Sequence, residues 1–255
     1  LKPHSRKTAP LEAPKKDTKG ARWVTPKLLA EITYAEQTGD GLLRHAVFEG
    51  LREDIMVDTE SSDSDDPVVA GIAISSGNRK VFPDAEKTKL DVARYYEAMA
   101  EEVLKEAADR PLSLVRLPTG LEGERFFQKH AGKGFPKALK QVEIEESDGE
   151  TADYMYVSDA AGLVAAAQMG TIEFHIWGAR RDRLERPDRM VFDLDPDEDL
   201  GFADVKRAAV DVRDRLSDLG LESWAMVTGG KGVHVVVPLR RTANWDTVKL
   251  FARTL

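Results

Sequence analysis

The stretch Arg189-Met190-Val191-Phe192-Asp193-Leu194-Asp195-Pro196 constrains the fold more than any other. Phe192 and Leu194 alternate with Val191, Asp193 and Asp195, and a period of two belongs to a strand rather than a helix. It puts both carboxylates on one face, and Pro196, which has no N–H for a ladder, stops the strand just beyond them. Carboxylates that close repel one another unless a cation lies between them. An oxygen-only donor pair suits Mg²⁺ or Mn²⁺, ions that commonly clamp phosphates. Surface loops and sugar-transfer enzymes share the Asp-x-Asp pattern, so the rest of the chain has to decide between them.

Downstream, Phe202, Val205, Ala208, Ala209, Val212, Leu216 and Leu219 recur at helical spacing as far as Gly220. Ser223 to Val227 and Val233 to Val237 read as strands joined by Thr228-Gly229-Gly230-Lys231-Gly232. That glycine hairpin exposes backbone amides, which together with Lys231 suit an anion. A strand rather than a helix follows the lysine, so it is not a P-loop. Strand, helix, strand and hairpin in that order make an α+β unit of ferredoxin-like or RNA-recognition-motif type. A further helix opens at Trp245.

Upstream, Thr88 to Ala107 has a helical stripe of Leu90, Ala93, Tyr96, Ala100, Val103 and Leu104, with Thr88 and Asp91 placed for a capping box. Pro111 to Leu117, Val142 to Glu146, Tyr154 to Val157 and Thr171 to Trp177 read as strands. In the last of these Ile172, Phe174 and Ile176 point inward while Glu173 and His175 share the other face. Asp159 to Met169 is an alanine-rich helix closed by Gly170. Phe126 and Phe127 lie among Arg125, Lys129, Lys133 and Lys137, a pattern that suits base stacking beside a basic track.

Residues 1–21 are polar and aperiodic, a tail or linker. Residues 22–54 carry short apolar alternations around Thr38-Gly39-Asp40-Gly41, too few residues for a stable domain alone. Residues 55–70 hold an acidic, serine-rich linker, and 71–255 form the main domain. The linker accounts for much of the net charge of −8, so the sign of the total says little about nucleic acid. Zero cysteines exclude disulfides and thiolate metal sites, no apolar run is long enough to span a bilayer, and the start has no signal-peptide core. A cytoplasmic protein without a membrane partner is expected.

FDLDP and TGGKGVHVVVPL, together with TKLDVARYY, RPLSLVR, FFQKH, LVAAAQMGTIEFHIWG and ERPDRMVFDLDP, resemble the primase-polymerase domain of bacterial DNA ligase D, a polymerase of archaeo-eukaryotic primase type. Residues 22–54 separately resemble the end of that family's ATP-dependent ligase domain, a partial oligonucleotide-binding barrel. No Lys-x-Asp-Gly motif occurs, so the ligase nucleophile is absent.

The resemblance implies an α+β, primase-like fold with a ferredoxin-like catalytic sheet that is truncated here. It implies template-directed nucleotidyl transfer from an NTP or dNTP at double-stranded DNA ends, near the nucleoid, with Ku as partner in non-homologous end joining. Asp193 and Asp195 would bridge two Mn²⁺ or Mg²⁺ ions. His175, Thr228, Gly229, Lys231 and His234 would grip the nucleotide's phosphates, with threonine where the family usually has serine. Phe126 and Phe127 would stack on template bases, and Arg79, Lys89 and the Ser76 loop would hold the 5′-phosphate, Ser76 replacing the family's usual His or Asn.

The family's third metal-binding aspartate follows the helix begun at Trp245 and falls past Leu255, and no acid after Asp195 replaces it. Impaired transfer with DNA-end binding retained is therefore the expectation, with one side of the sheet exposing Val233, Val235 or their neighbours. The rival readings are a non-catalytic end-binding module and a metal-dependent nuclease or sugar-nucleotide transferase.

Overall fold

A computed structural model of the chain describes residues 5–7, 20–25, 30–34, 36–37, 43–51, 66–132, 134–146 and 149–255. β1 (Ser5–Arg6), in the stretch read as a polar tail, pairs antiparallel with β2 (Trp23–Val24), which lies just beyond it. β3 (Ala30–Thr33) pairs with β6 (Val47–Leu51), and β4 (Glu36–Gln37) pairs with β5 (Leu43–Arg44). The turn expected at 38–41 lies outside the described residues, as does the acidic run up to Asp65. Ile32, Tyr34, Val47 and Phe48 are exposed, so these strands bury little apolar surface of their own.

β7 (Val68–Val69) and β8 (Ile72–Ala73) form one small hairpin, and β9 (Lys80–Phe82) and β10 (Lys87–Thr88) another. They lead into α1 (Lys89–Ala98), which starts with the capping box expected from the sequence. The Asp91 N–H donates to Thr88 Oγ1 at 3.2 Å, and the Thr88 N–H donates to Asp91 Oδ2 at 2.9 Å. The helix does not run unbroken to Ala107. Met99 (φ −96°, ψ 5°) interrupts it, and α2 (Ala100–Ala107) follows. The stripe survives the break: Ala93, Tyr96 and Ala100 are buried, and Leu90, Val103 and Leu104 pack on the same core.

β11 (Leu112–Arg116) is the centre of a five-stranded antiparallel sheet. β12 (Phe126–Gln128) and β14 (Thr151–Tyr156) pair with it, β13 (Lys140–Glu145) pairs with β14, and β15 (Thr171–Ile176) also pairs with β11. α3 (Ala160–Gln168) packs against α1 and α2. Asp159 caps it by accepting from the Gly162 N–H at 2.9 Å, and Gly170 ends it in the left-handed region at φ +80°, where a side chain would be strained. Leu112, Leu114, Leu139, Met155, Leu163 and Val164 form the heart of this core.

The second layer is β16 (Arg189–Leu194), α4 (Phe202–Asp218), β17 (Trp224–Met226), β18 (Val233–Pro238) and α5 (Trp245–Thr254). Its three strands lie antiparallel in the order β16-β18-β17. Met190, Leu216, Val235, Val237 and Val248 make a second core between this sheet and the two helices. Apolar groups on one face of the sheet are exposed, but Val233 and Val235, named as candidates for that exposure, are both buried. The register pairs Phe192 with Val235 and turns that row inward, while the row of Val191, Val236 and Trp224 lies on the opposite face. Val191 of β16 and Trp224 and Met226 of β17 are exposed, as is Val227 just after β17. The buried stripe of α4 is also narrower than its apolar pattern, with Phe202, Ala208 and Leu219 in solvent.

An ionic hub joins the two layers. Arg110, only 4% exposed, grips Asp188 with both terminal nitrogens, at 2.5 and 2.8 Å. Its Nε donates to the Glu106 carbonyl at 2.6 Å. Arg180 donates from Nε to Asp188 Oδ2 at 3.2 Å and from Nη1 to the Ala108 carbonyl at 2.8 Å. The Leu239 N–H donates to the Asp188 carbonyl at 2.8 Å, which brings in the end of β18. Burial pushes the Asp188 carboxyl up, but Arg110 and then Arg180 outweigh it and hold the group below the usual carboxylate range.

Candidate nucleotide and DNA-end site

The acidic strand and the glycine hairpin meet. Asp193 lies directly opposite His234 in the β16–β18 ladder, with Asp193 Oδ1 3.1 Å from His234 Nε2. Asp195 sits one residue past the end of β16 and is exposed, like Asp193. Its Oδ1 rests on Gly232: a Cβ there would lie 2.3 Å from Asp195 Oδ1 and 2.6 Å from the Leu194 carbonyl oxygen. Only glycine fits, because the hairpin backbone passes directly against the acidic strand. Gly229 holds a left-handed conformation, φ +86°, and Thr228, Gly229, Gly230 and Lys231 are all exposed. Gly232 was not singled out by sequence reasoning. Its signal is the close approach that a glycine directly ahead of a strand allows.

His175 stands on β15, exposed, opposite Ser113 of β11. Its ring meets Phe127 edge-on at 5.6 Å between centroids, and its Nε2 lies 2.9 Å from Glu173 Oε2. Arg125 Nη2 donates to both oxygens of Glu173, at 2.9 and 3.1 Å. Alternation along β12 leaves Phe127 67% exposed and Phe126 half-buried. Lys129, the next basic residue, pairs with Glu146 and donates to Tyr154 Oη, and these two contacts raise its pKa.

The third group gathers at the start of α1. Lys89 is buried at 3% exposure, and its Nζ donates to the Ser75 carbonyl at 2.8 Å. The Lys89 N–H donates to the Arg79 carbonyl and the Leu90 N–H to the Gly77 carbonyl, both at 2.9 Å, so the 75–79 loop lies over the first turn of the helix. Ser76 holds φ +50° in that loop. The first three N–H groups of the helix are already taken, by the Arg79 and Gly77 carbonyls and by Thr88 Oγ1, so an anion here would have to be met by side chains.

The chemistry of the donors fits a hard divalent ion at Asp193 and Asp195, two exposed carboxylates beside a loop of backbone amides. Among the described residues no group of three or more His, Cys, Asp or Glu side chains is placed to hold one metal ion. Nor is any helix there long and apolar enough to cross a membrane.

The family described as LigD, primase-polymerase domain, matches residues 88–255. The chain belongs to that family. Residues 1–55 match a second family, the ATP dependent DNA ligase C terminal region. The multifunctional non-homologous end joining protein LigD of Pseudomonas aeruginosa is 36% identical across the whole chain, which covers 32% of that relative. The Mycobacterium tuberculosis protein of corresponding name is 31% identical over 66% of the chain and 23% of the relative. The chain thus spans a third or less of the length of these relatives. Among solved structures, the polymerase domain from Mycobacterium tuberculosis ligase D in complex with DNA superposes with a TM-score of 0.66 at 28% identity, covering 72% of this chain and 66% of that one. The mixed α+β architecture is thus that of the ligase D primase-polymerase domain.

Proposed function

We propose that residues 71–255 serve template-directed nucleotidyl transfer, the addition of an NTP or dNTP to the 3′-hydroxyl at a DNA double-strand break in bacterial non-homologous end joining, with the transfer step impaired and DNA-end binding retained. On this division residues 22–54 are the end of the ligase part and 55–70 the linker. The observation that carries the reading is the close approach of Gly232 to Asp195 and the Leu194 carbonyl, which supports two carboxylates lying beside the exposed glycine loop. Such transfer needs little covalent help from a protein; positioning and neutralisation of charge do most of the work.

In this reading Asp193 and Asp195 would hold Mn²⁺ or Mg²⁺, which neutralises triphosphate charge and sharpens the attacking hydroxyl when bound. Thr228, the Gly229 amide, Lys231, His234 and His175 bind phosphate oxygens. Phe127 offers its exposed ring, and Phe126 its half-buried one, to template bases. Arg79, Lys89 and the Ser76 loop receive the 5′-phosphate. The partners are DNA ends and Ku, and the place of work is the cytoplasm, at the nucleoid.

The test is a recessed, 5′-phosphorylated primer-template incubated with the chain, Mn²⁺ and nucleotides. Extension that is lost in Asp193→Ala and Asp195→Ala, with DNA binding kept, supports the reading. Binding without extension in the wild type favours a non-catalytic end-binding module, and shortening of the primer favours a nuclease.

A further inference from the structure

We propose that Glu173 is an internal stand-in for phosphate: in the substrate-free chain its carboxylate occupies the two donor groups, the Arg125 guanidinium and the His175 ring N–H, that substrate phosphates take over. The inference rests on the nucleotide and template roles given above to His175 and its neighbours. Glu173 serves both groups at once. Its Oε1 accepts from Arg125 at 2.9 Å, and its Oε2 lies 3.1 Å from Arg125 Nη2 and 2.9 Å from His175 Nε2.

A carboxylate only accepts, so the proton of the His175 ring sits on Nε2, facing Glu173. That N–H is the donor a phosphate oxygen would need. The strands make the arrangement possible. Val115 of β11 lies opposite Phe127 on one side and Glu173 on the other, which sets the carboxylate in the same row as the exposed ring. His175 follows two residues along β15, on the same face, and its ring reaches Phe127.

Exposure decides what the carboxylate does there. Arg125, Glu173 and His175 are 62%, 41% and 51% exposed, so all three are reachable from solvent. Exposed ion pairs are weak, and a polyphosphate or a strand of DNA displaces the carboxylate for a cost of at most about fivefold in affinity. A single weak anion gains too little to do so. Glu173 thereby keeps both donors satisfied without closing the site and disfavours anions that cannot engage both. A carboxylate whose task was to orient His175 would have no reason to be shared with an arginine that precedes another strand.

The two roles differ in the sign of a binding change. Titrate a non-hydrolysable nucleoside triphosphate, and separately a DNA end with a single-stranded overhang, against the wild type, Glu173→Gln and Glu173→Ala. Both variants are expected to bind each ligand about 2- to 5-fold more tightly. The gain should vanish when the substitution is combined with Arg125→Ala and His175→Ala, and thermal melting should confirm that every variant is folded. Unchanged or weaker binding in Glu173→Ala overturns the stand-in while leaving the proposed function in place. Failure of the folded wild type to bind either ligand overturns the function and the stand-in together.

Discussion

Replacing Asp188 with asparagine should cost more stability than any single change at the exposed site. Asp188 is 16% exposed and its partner Arg110 only 4%, so the substitution strands a guanidinium away from water. Breaking a buried pair by removing one partner costs about 3–5 kcal/mol. Asparagine keeps one carbonyl oxygen that can accept from Arg110, which sets the expectation at the lower end, about 3 kcal/mol. For a chain of this size each kcal/mol moves the midpoint by roughly 2–4 °C, so Tm should fall by about 6–12 °C. Urea denaturation followed by circular dichroism measures the loss, with an unchanged m-value showing that the same surface unfolds.

The pH dependence supplies a second check. The folded Asp188 carboxyl lies below its unfolded value, so the pair's stabilisation is fully present above the ordinary Asp pKa of about 3.9 and is lost as pH falls through the folded value. The gap between wild type and Asp188→Asn should therefore be constant through neutral pH and narrow below about pH 4. As a control, Asp182 pairs bidentately with Arg241 but is 60% exposed, so Asp182→Asn should cost no more than about 1 kcal/mol. A loss below about 1 kcal/mol for Asp188→Asn, or a gap that persists in acid, would refute the hub.

Gly232→Ala should abolish nucleotide binding and lower stability by roughly 1–3 kcal/mol, because its Cβ meets Asp195 and the Leu194 carbonyl, whereas Gly230→Ala, whose Cβ finds only Thr228 Oγ1 at 3.7 Å, should melt like the wild type. Phe127→Ala should weaken binding of a single-stranded overhang by about 1–3 kcal/mol without changing the melting curve, since the ring is 67% exposed. Lys89→Met should remove the preference for a 5′-phosphorylated over an unphosphorylated recessed end in a competition assay; a loss equal for both ends would mean the lysine serves only the loop it holds through the Ser75 carbonyl.

Much of this fold was legible because its signals are local. The Thr88–Asp91 capping box, the Gly170 stop of α3, and the alternation along β15 each depend on residues a few positions apart. What was not legible depends on distance or on parity. Val233-His234-Val235-Val236-Val237 is apolar on both faces, so the sequence alone does not say which valines face α4; the pairing of Phe192 with Val235 does. Arg110 and Asp188 are 78 residues apart and belong to no periodic pattern, so they read as ordinary surface charges. The break at Met99 left no mark because both half-helices continue one buried stripe. At the site, the acidic strand and the hairpin were each visible alone, but Gly232 gains meaning only when the strand it touches is in place.

β16 links the hub to the site. It begins at Arg189, 6% exposed, next to Asp188, and carries the exposed Asp193 near its end, with the exposed Asp195 one residue beyond. Seven steps from Asp188 at about 3.3 Å each put the last carboxylate roughly 23 Å from the hub. Over that length the strand passes from a buried, multiply paired anchor to a solvent-facing edge held by Asp193–His234 and the Gly232 contact. An acid pair that must admit cations and phosphates has to stay exposed, and exposed carboxylates add little stability. The strand that bears them therefore has to be fixed elsewhere, and it is fixed on both sides: by Arg110 and Arg180 at its start, and by the apolar row of Met190 and Phe192 against α4 and β18 along its length. This separation has a consequence for mutants. Damage at the hub should lower the folded fraction while each folded molecule keeps its nucleotide affinity, whereas damage at Gly232 should lower affinity even in molecules that remain folded.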